Sequence, residues 1–158
     1  MGRYYETENG RSGKFGFAKQ SSTDPGDFFG MKEQEPNQIT YYADKDDEED
    51  IKAKVDSLYD ELEVPAEERI YYKEAGSSNN ELADLLEKYG YRKVHRNEVE
   101  RFDKIEGYKH DPYYCPEKNY VFIETKQGAG LAMCRIRLGV TILSDLKDEG
   151  FCELYAEL

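Results

Sequence analysis

The sequence predicts an α+β fold: a single domain, 1–158, with a mostly antiparallel sheet packed against a long C-terminal helix and two shorter helices. Three observations predict it. Period-2 and period-3.6 apolar patterns share the chain in no strict strand–helix–strand repeat. The longest helical pattern, from Leu131 to about Lys147, gives way at once to alternation, with Cys152, Leu154, Ala156 and Leu158 facing one way and Glu153 and Glu157 the other. The length of 158 residues suits one domain, and no stretch is long enough to act as a linker.

In chain order, Lys14 to Lys19 alternates, with Phe15 and Phe17 on one face, and reads as a strand. Asp24-Pro25-Gly26 reads as a turn, because proline fixes φ and glycine accepts a positive φ. Gln38 to Ala43 reads as a second strand. Asp46 or Asp47 then caps a helix to about Leu62, whose apolar positions Ile51, Val55, Leu58 and Leu62 are spaced 4, 3, 4 on one face. Glu48, Glu49 and Asp50 fill its first turn, where the helix dipole favours anions. Val64-Pro65 closes it, and Ile70 to Lys73 reads as a short strand. A second helix is capped in Ser77–Asn80, runs through Leu82, Leu85, Leu86 and Tyr89, and is expected to stop at a left-handed Gly90. Short strands are expected around Val94 and at Glu98–Phe102, then a loop with Asp111-Pro112 and Cys115-Pro116. Asn119 to Lys126 reads as a strand. Gly128-Ala129-Gly130 opens the third helix, with Cys134, Leu138, Ile142 and Leu146 on one side, and Gly150 ends it.

The charge is uneven. The net charge is -12, and the stretch 44–68 alone holds 12 acids against three lysines. Such a balance disfavours non-specific binding to nucleic acid or to an anionic membrane. The most apolar stretch, Leu131 to Leu146, is broken by Arg135, Arg137 and Asp145, so it is no membrane span. The opening lacks an apolar signal region, and Cys115, Cys134 and Cys152 form no paired motif. The expectation is an intracellular chain with buried thiols, no metal and no cofactor.

Gly10-Arg11-Ser12-Gly13-Lys14-Phe15 has only part of a phosphate loop. Two residues separate the glycines where four are needed, and Phe15 stands where the magnesium-binding hydroxyl belongs. It reads as a glycine turn before a strand. Asp44 to Asp50 fails as a calcium loop, with Glu49 and Val55 at the positions that need glycine and a bidentate glutamate. The functional reading of the acidic stretch is a recognition face: Asp46, Asp47, Glu48, Glu49 and Asp50 occupying the basic groove of a partner protein. Tyrosine doublets recur at Tyr4-Tyr5, Tyr41-Tyr42, Tyr71-Tyr72 and Tyr113-Tyr114. In a strand one member packs inward while its twin faces water, and Tyr41, Tyr42, Tyr71 and Tyr72 are candidates for a protein interface.

Two other readings use different residues. Asp103, Glu106, His110 and Asp111 bring together ligand types for a small metal-dependent hydrolase, without any specific spacing. Exposed tyrosines with Arg92, Lys93 and Arg96 suit a single-stranded nucleic-acid binder, though the basic patch is modest.

The opening Gly2-Arg3-Tyr4-Tyr5, then Gly13-Lys14-Phe15-Gly16-Phe17, Gln20-Ser21-Ser22 and Asp27-Phe28-Phe29-Gly30, resembles the start of a group of small uncharacterised proteins of phages and large DNA viruses. The Leu138-Gly139 helix followed by Cys152 to Leu158 resembles their ending. The resemblance implies a viral accessory protein acting in the host cytoplasm, and implies no catalytic residue. The expectation is a non-enzymatic, acidic protein-binding module that binds or inhibits an unidentified host protein; if that protein handles nucleic acid, the acidic helix would occupy its basic site.

Overall fold

The computed structural model describes residues 4–16, 20–35, 38–74, 80–95, 108–109 and 120–156. It is an α+β domain. Its main sheet has five strands in the order β2-β1-β8-β4-β3, all antiparallel. These are β1 (Tyr4–Thr7), β2 (Ser12–Lys14), β3 (Lys32–Glu35), β4 (Gln38–Asp44) and β8 (Phe151–Ala156). A second sheet has three strands, β5 (Tyr91–His95), β7 (Tyr120–Glu124) and β6 (Tyr108–Lys109), in that order. Among the described residues the helices are α1 (Asp24–Asp27), α2 (Glu48–Glu61), α3 (Asn80–Gly90) and α4 (Ala129–Glu149).

The last strand takes the centre of the sheet. β8 pairs with β1 through Tyr5 opposite Ala156, and with β4 through Tyr41 opposite Leu154. Alternation sends Cys152, Leu154 and Ala156 into the core, as their spacing predicts. β1 and β2 form a hairpin that the sequence pattern did not disclose. Its turn uses Gly10 at φ 89°, where a side chain would be strained. Gly13 then lies over the Tyr5 ring, so a Cβ there would sit 2.3 Å from the hydroxyl oxygen. The partial phosphate-loop motif is therefore a hairpin, and the expected Lys14–Lys19 strand ends at Lys14 among the described residues.

α4 lies on the inner face of the sheet, and α2 packs along α4. Leu138 to Leu146 are consecutively buried, because this part of α4 has neighbours on every side. Its polar residues must then find partners inside. Thr141 donates to the Arg137 carbonyl at 3.0 Å, and Ser144 donates to the Val140 carbonyl at 2.6 Å. Ser144 Oγ also accepts the Lys73 amide at 2.8 Å. Asp145, 0 % exposed, receives Arg11 Nη1 at 2.6 Å across 134 residues. Arg11 Nη2 also bonds Asp148 and, at 3.0 Å, the Lys73 carbonyl. Burial pushes the neighbouring Cys152 thiol upward, so it stays protonated and inert.

Further expectations need correction. Ile70 to Lys73 is not a strand: its backbone bonds go to the Tyr59 hydroxyl and to Ser144 in place of a ladder. Gly90 is not left-handed. It is small because Met133 of α4 packs on it, and a Cβ would lie 2.2 Å from the sulfur. The side-chain cap of the acidic helix also comes one turn early. Asp44 accepts the Asp46 amide at 2.9 Å and Asp47 accepts the Asp44 amide at 3.0 Å, bracketing a 3-10 turn, Lys45–Asp47, that leads into α2. The expected turn at Asp24 is α1, and Gly150, at φ 81°, caps α4 as predicted. The strand expected at Glu98–Phe102 and the loop after it lie outside the described residues.

Candidate functional site

α2 is held from below. Ile51, Val55, Leu58 and Tyr59 are buried against the core, and the 4, 3, 4 spacing is what places them there. The opposite face carries the acids, and the fold divides them into used and unused sets. Asp44 and Asp47 close the turn before the helix. Glu48 is half-buried and pairs with Lys45 at 3.6 Å. Asp56 and Asp60 both bind Arg69, at 3.1 and 2.6 Å, and Asp56 also accepts the Tyr71 hydroxyl. Glu68 accepts Lys88 Nζ at 3.2 Å and the Tyr89 hydroxyl, and these bonds hold its carboxyl below the usual range.

What remains at the start of α2 is Asp46, Glu49 and Asp50. All three are exposed, and none makes an ion pair among the described residues. Beside them runs a groove of about 430 Å³, lined by Phe29, Gly30, Asp50, Ala53, Lys54 and Ser57. Its wall is fixed: Lys54 donates to the Phe28 carbonyl and lies 5.5 Å from the Phe28 ring centre. The arrangement joins three unneutralised carboxylates to a notch with an apolar floor.

The tyrosines divide as alternation requires. Tyr41 is 3 % exposed and belongs to the core, so it offers nothing to a partner. Burial also pushes its hydroxyl upward. Tyr42 is half-buried on the outer side of the sheet and stacks on Phe151, with ring centres 6.3 Å apart. Tyr71 is half-buried, with its hydroxyl on Asp56 and Lys52 4.8 Å from its ring centre. Burial and Asp56 raise its pKa. Tyr72 is exposed, and Lys147 Nζ lies 4.5 Å from its ring centre. The structure thus puts Asp46 to Asp50 together, packs Tyr71 against Lys52 and Asp56 of α2, and places Tyr72 against Lys147 of α4.

Asp103, Glu106, His110 and Asp111 lie outside the described residues, as does Arg96. Among the described residues, no three His, Cys, Asp or Glu side chains stand together in a metal-binding group. No helix of the described residues is long and apolar enough to cross a membrane. Reading the sequence did not single out Tyr155. The signal was there, because the alternation that buries Cys152, Leu154 and Ala156 turns Tyr155 and Glu153 outward.

No protein-family model matches the chain, and no curated protein or solved structure matches it.

Proposed function

We propose that this chain is a non-enzymatic, acidic protein-binding module that engages a basic site on another protein through the start of α2. One observation carries the reading. The fold neutralises or caps six of the 12 acids in the 44–68 stretch, yet leaves Asp46, Glu49 and Asp50 exposed, unpaired and close together beside a groove. Like charges gathered on a rigid helix raise the local potential, steer a cationic partner and set its register. The groove gives the partner a place for one side chain. The resemblance of the opening to viral proteins supports a host protein as the target, and the acidic charge suits one with a basic, nucleic-acid-binding groove.

The structure also chooses the variant. Changing Asp47 or Glu48 would disturb the cap or the Lys45 pair, so neither reports on binding alone. The combined Asp46→Asn, Glu49→Gln, Asp50→Asn variant removes three charges without touching the core. It should fold with a stability within about 1 kcal/mol of the parent, since surface changes away from caps and pairs are small. It should also lose capture of the partner that the parent retains in lysate. Equal capture by the two proteins would end the proposal.

A further inference from the structure

Among the described residues, helices pack on one face of the sheet, and the other face carries exposed side chains. α4 packs on the inner face, where Tyr5, Tyr41, Ala43 and Leu154 are buried. The outer face carries the alternate residues. On its three central strands these include Tyr4 and Glu6 of β1, Tyr42 of β4, and Glu153 and Tyr155 of β8. Tyr4 is 53 % exposed and Tyr155 37 % exposed, and both rank among the exposed large apolar side chains of the described residues.

The charges on this face are arranged. Tyr155 sits directly opposite Glu6 across the β1–β8 ladder, and opposite Thr40 across the β8–β4 ladder. Glu153 is two residues along the same strand and so faces the same way. Glu8 accepts the Tyr155 hydroxyl at 3.0 Å. Three carboxylates therefore surround one exposed ring. The lysines of this face stand on the edge strands: Lys14 of β2 lies 5.8 Å from the Tyr4 ring centre, and Lys32 of β3 is opposite Tyr42. Among the described residues of the three central strands, the outward positions include acids, aromatics and Thr40, which is 8 % exposed opposite Tyr155, and no base.

An aromatic ring between carboxylates is a poor platform for a nucleic acid, because the phosphates would approach the acids. It is a good one for a guanidinium, which lies flat on a ring while its N–H groups pair with carboxylates at the rim. We propose that the outer face of the sheet docks an arginine-bearing segment of a second protein, with a guanidinium on Tyr155 between Glu6 and Glu153. Five strands about 4.8 Å apart make a face about 19 Å across. An extended segment of about six residues spans it. This surface uses residues separate from α2, so either docking site can fail without the other.

The test uses the full chain and a fluorescein-labelled nonapeptide with arginine alternating with serine, read by fluorescence anisotropy. A lysine counterpart and a nine-nucleotide oligothymidylate are the comparison probes. The arginine peptide should bind at least fivefold tighter than the lysine peptide, since an ammonium cannot stack flat. Tyr155→Ser should weaken it about tenfold, the loss of one stacking contact with its charge pairs. Tyr155→Phe keeps the ring and should bind within about twofold of the parent. The double variant Glu6→Gln, Glu153→Gln leaves packing intact and covers the case in which Tyr155→Ser fails to fold; it too should lose most of the binding. The Asp46→Asn, Glu49→Gln, Asp50→Asn variant should keep it. The inference is overturned by no binding of the arginine peptide, by equal binding of the lysine peptide, or by tighter binding of the oligothymidylate. Loss confined to the α2 variant also overturns it, and would leave α2 as the docking site.

Discussion

Arg11→Met should be among the costliest single changes in this chain. The Arg11 side chain is 1 % exposed and Asp145 0 % exposed, so the two charges meet away from water. Arg11 pairs with Asp145 Oδ1 at 2.6 Å, reaches Asp148, and covers the Lys73 carbonyl with Nε at 3.3 Å and Nη2 at 3.0 Å. Methionine keeps much of the volume and removes every donor. Asp148 is half-exposed and turns to water, but Asp145 cannot. Leaving one member of a buried pair uncompensated costs about 3–5 kcal/mol. The total stability of a domain is about 5–15 kcal/mol, so this is a large share of it. At roughly 2–4 °C per kcal/mol for a chain of this size, the thermal midpoint should fall by roughly 6–20 °C. Urea denaturation followed by circular dichroism gives the value. The companion Arg11→Met, Asp145→Leu variant removes the orphaned charge and should recover at least about 2 kcal/mol, because apolar replacement of a buried pair is often neutral. A loss under about 1 kcal/mol in the single variant would refute the reasoning, and so would additive losses in the double variant.

Gly139→Ala should destabilise by about 1–3 kcal/mol, because its Cβ would lie 2.4 Å from Val55 Cγ2 and 3.0 Å from the Phe29 ring; adding Val55→Ala should return part of the loss in the same urea assay. Burial pushes the Tyr5 hydroxyl up to about 12, and burial likewise pushes Tyr59 up to about 12. Both groups must stay neutral in the folded chain, so their contribution is complete below pH about 10 and is lost as pH rises from about 10 to 12. The urea midpoint should fall across that window, and Tyr5→Phe should flatten the fall. A fall of unchanged size in that variant would remove Tyr5 from the account.

α2 was legible because its whole signal is local: Ile51, Val55, Leu58 and Leu62 announce one face, and all four are buried. β8 was legible for the same reason, since alternation needs no knowledge of the partner strand. β3 was not, because Lys32 to Glu35 is an edge strand with no apolar residue to set a period, and only its ladder with β4 makes it a strand. β1 escaped notice because it closes against β8 at the far end of the chain. Ile70 to Lys73 has strand-like composition, but a tyrosine hydroxyl and a serine take its backbone bonds. Of the candidate site, the acidic run was visible and its division was not. Which carboxylates remain free depends on Arg69 and Lys45, and on an Asp44 cap that only folding reveals. The tyrosine doublets announced alternation, and the core chose Tyr5 and Tyr41 as the inner members.

The central claim is that free carboxylates at the start of α2 steer a basic partner. The most direct measurement is the association rate of the captured partner with the parent chain and with the Asp46→Asn, Glu49→Gln, Asp50→Asn variant, across a range of salt concentration. The account predicts a parent rate that falls steeply as salt rises, and a variant rate that is lower at low salt and nearly flat, with the thermal midpoint unchanged. Parallel salt dependences in the two proteins would contradict it.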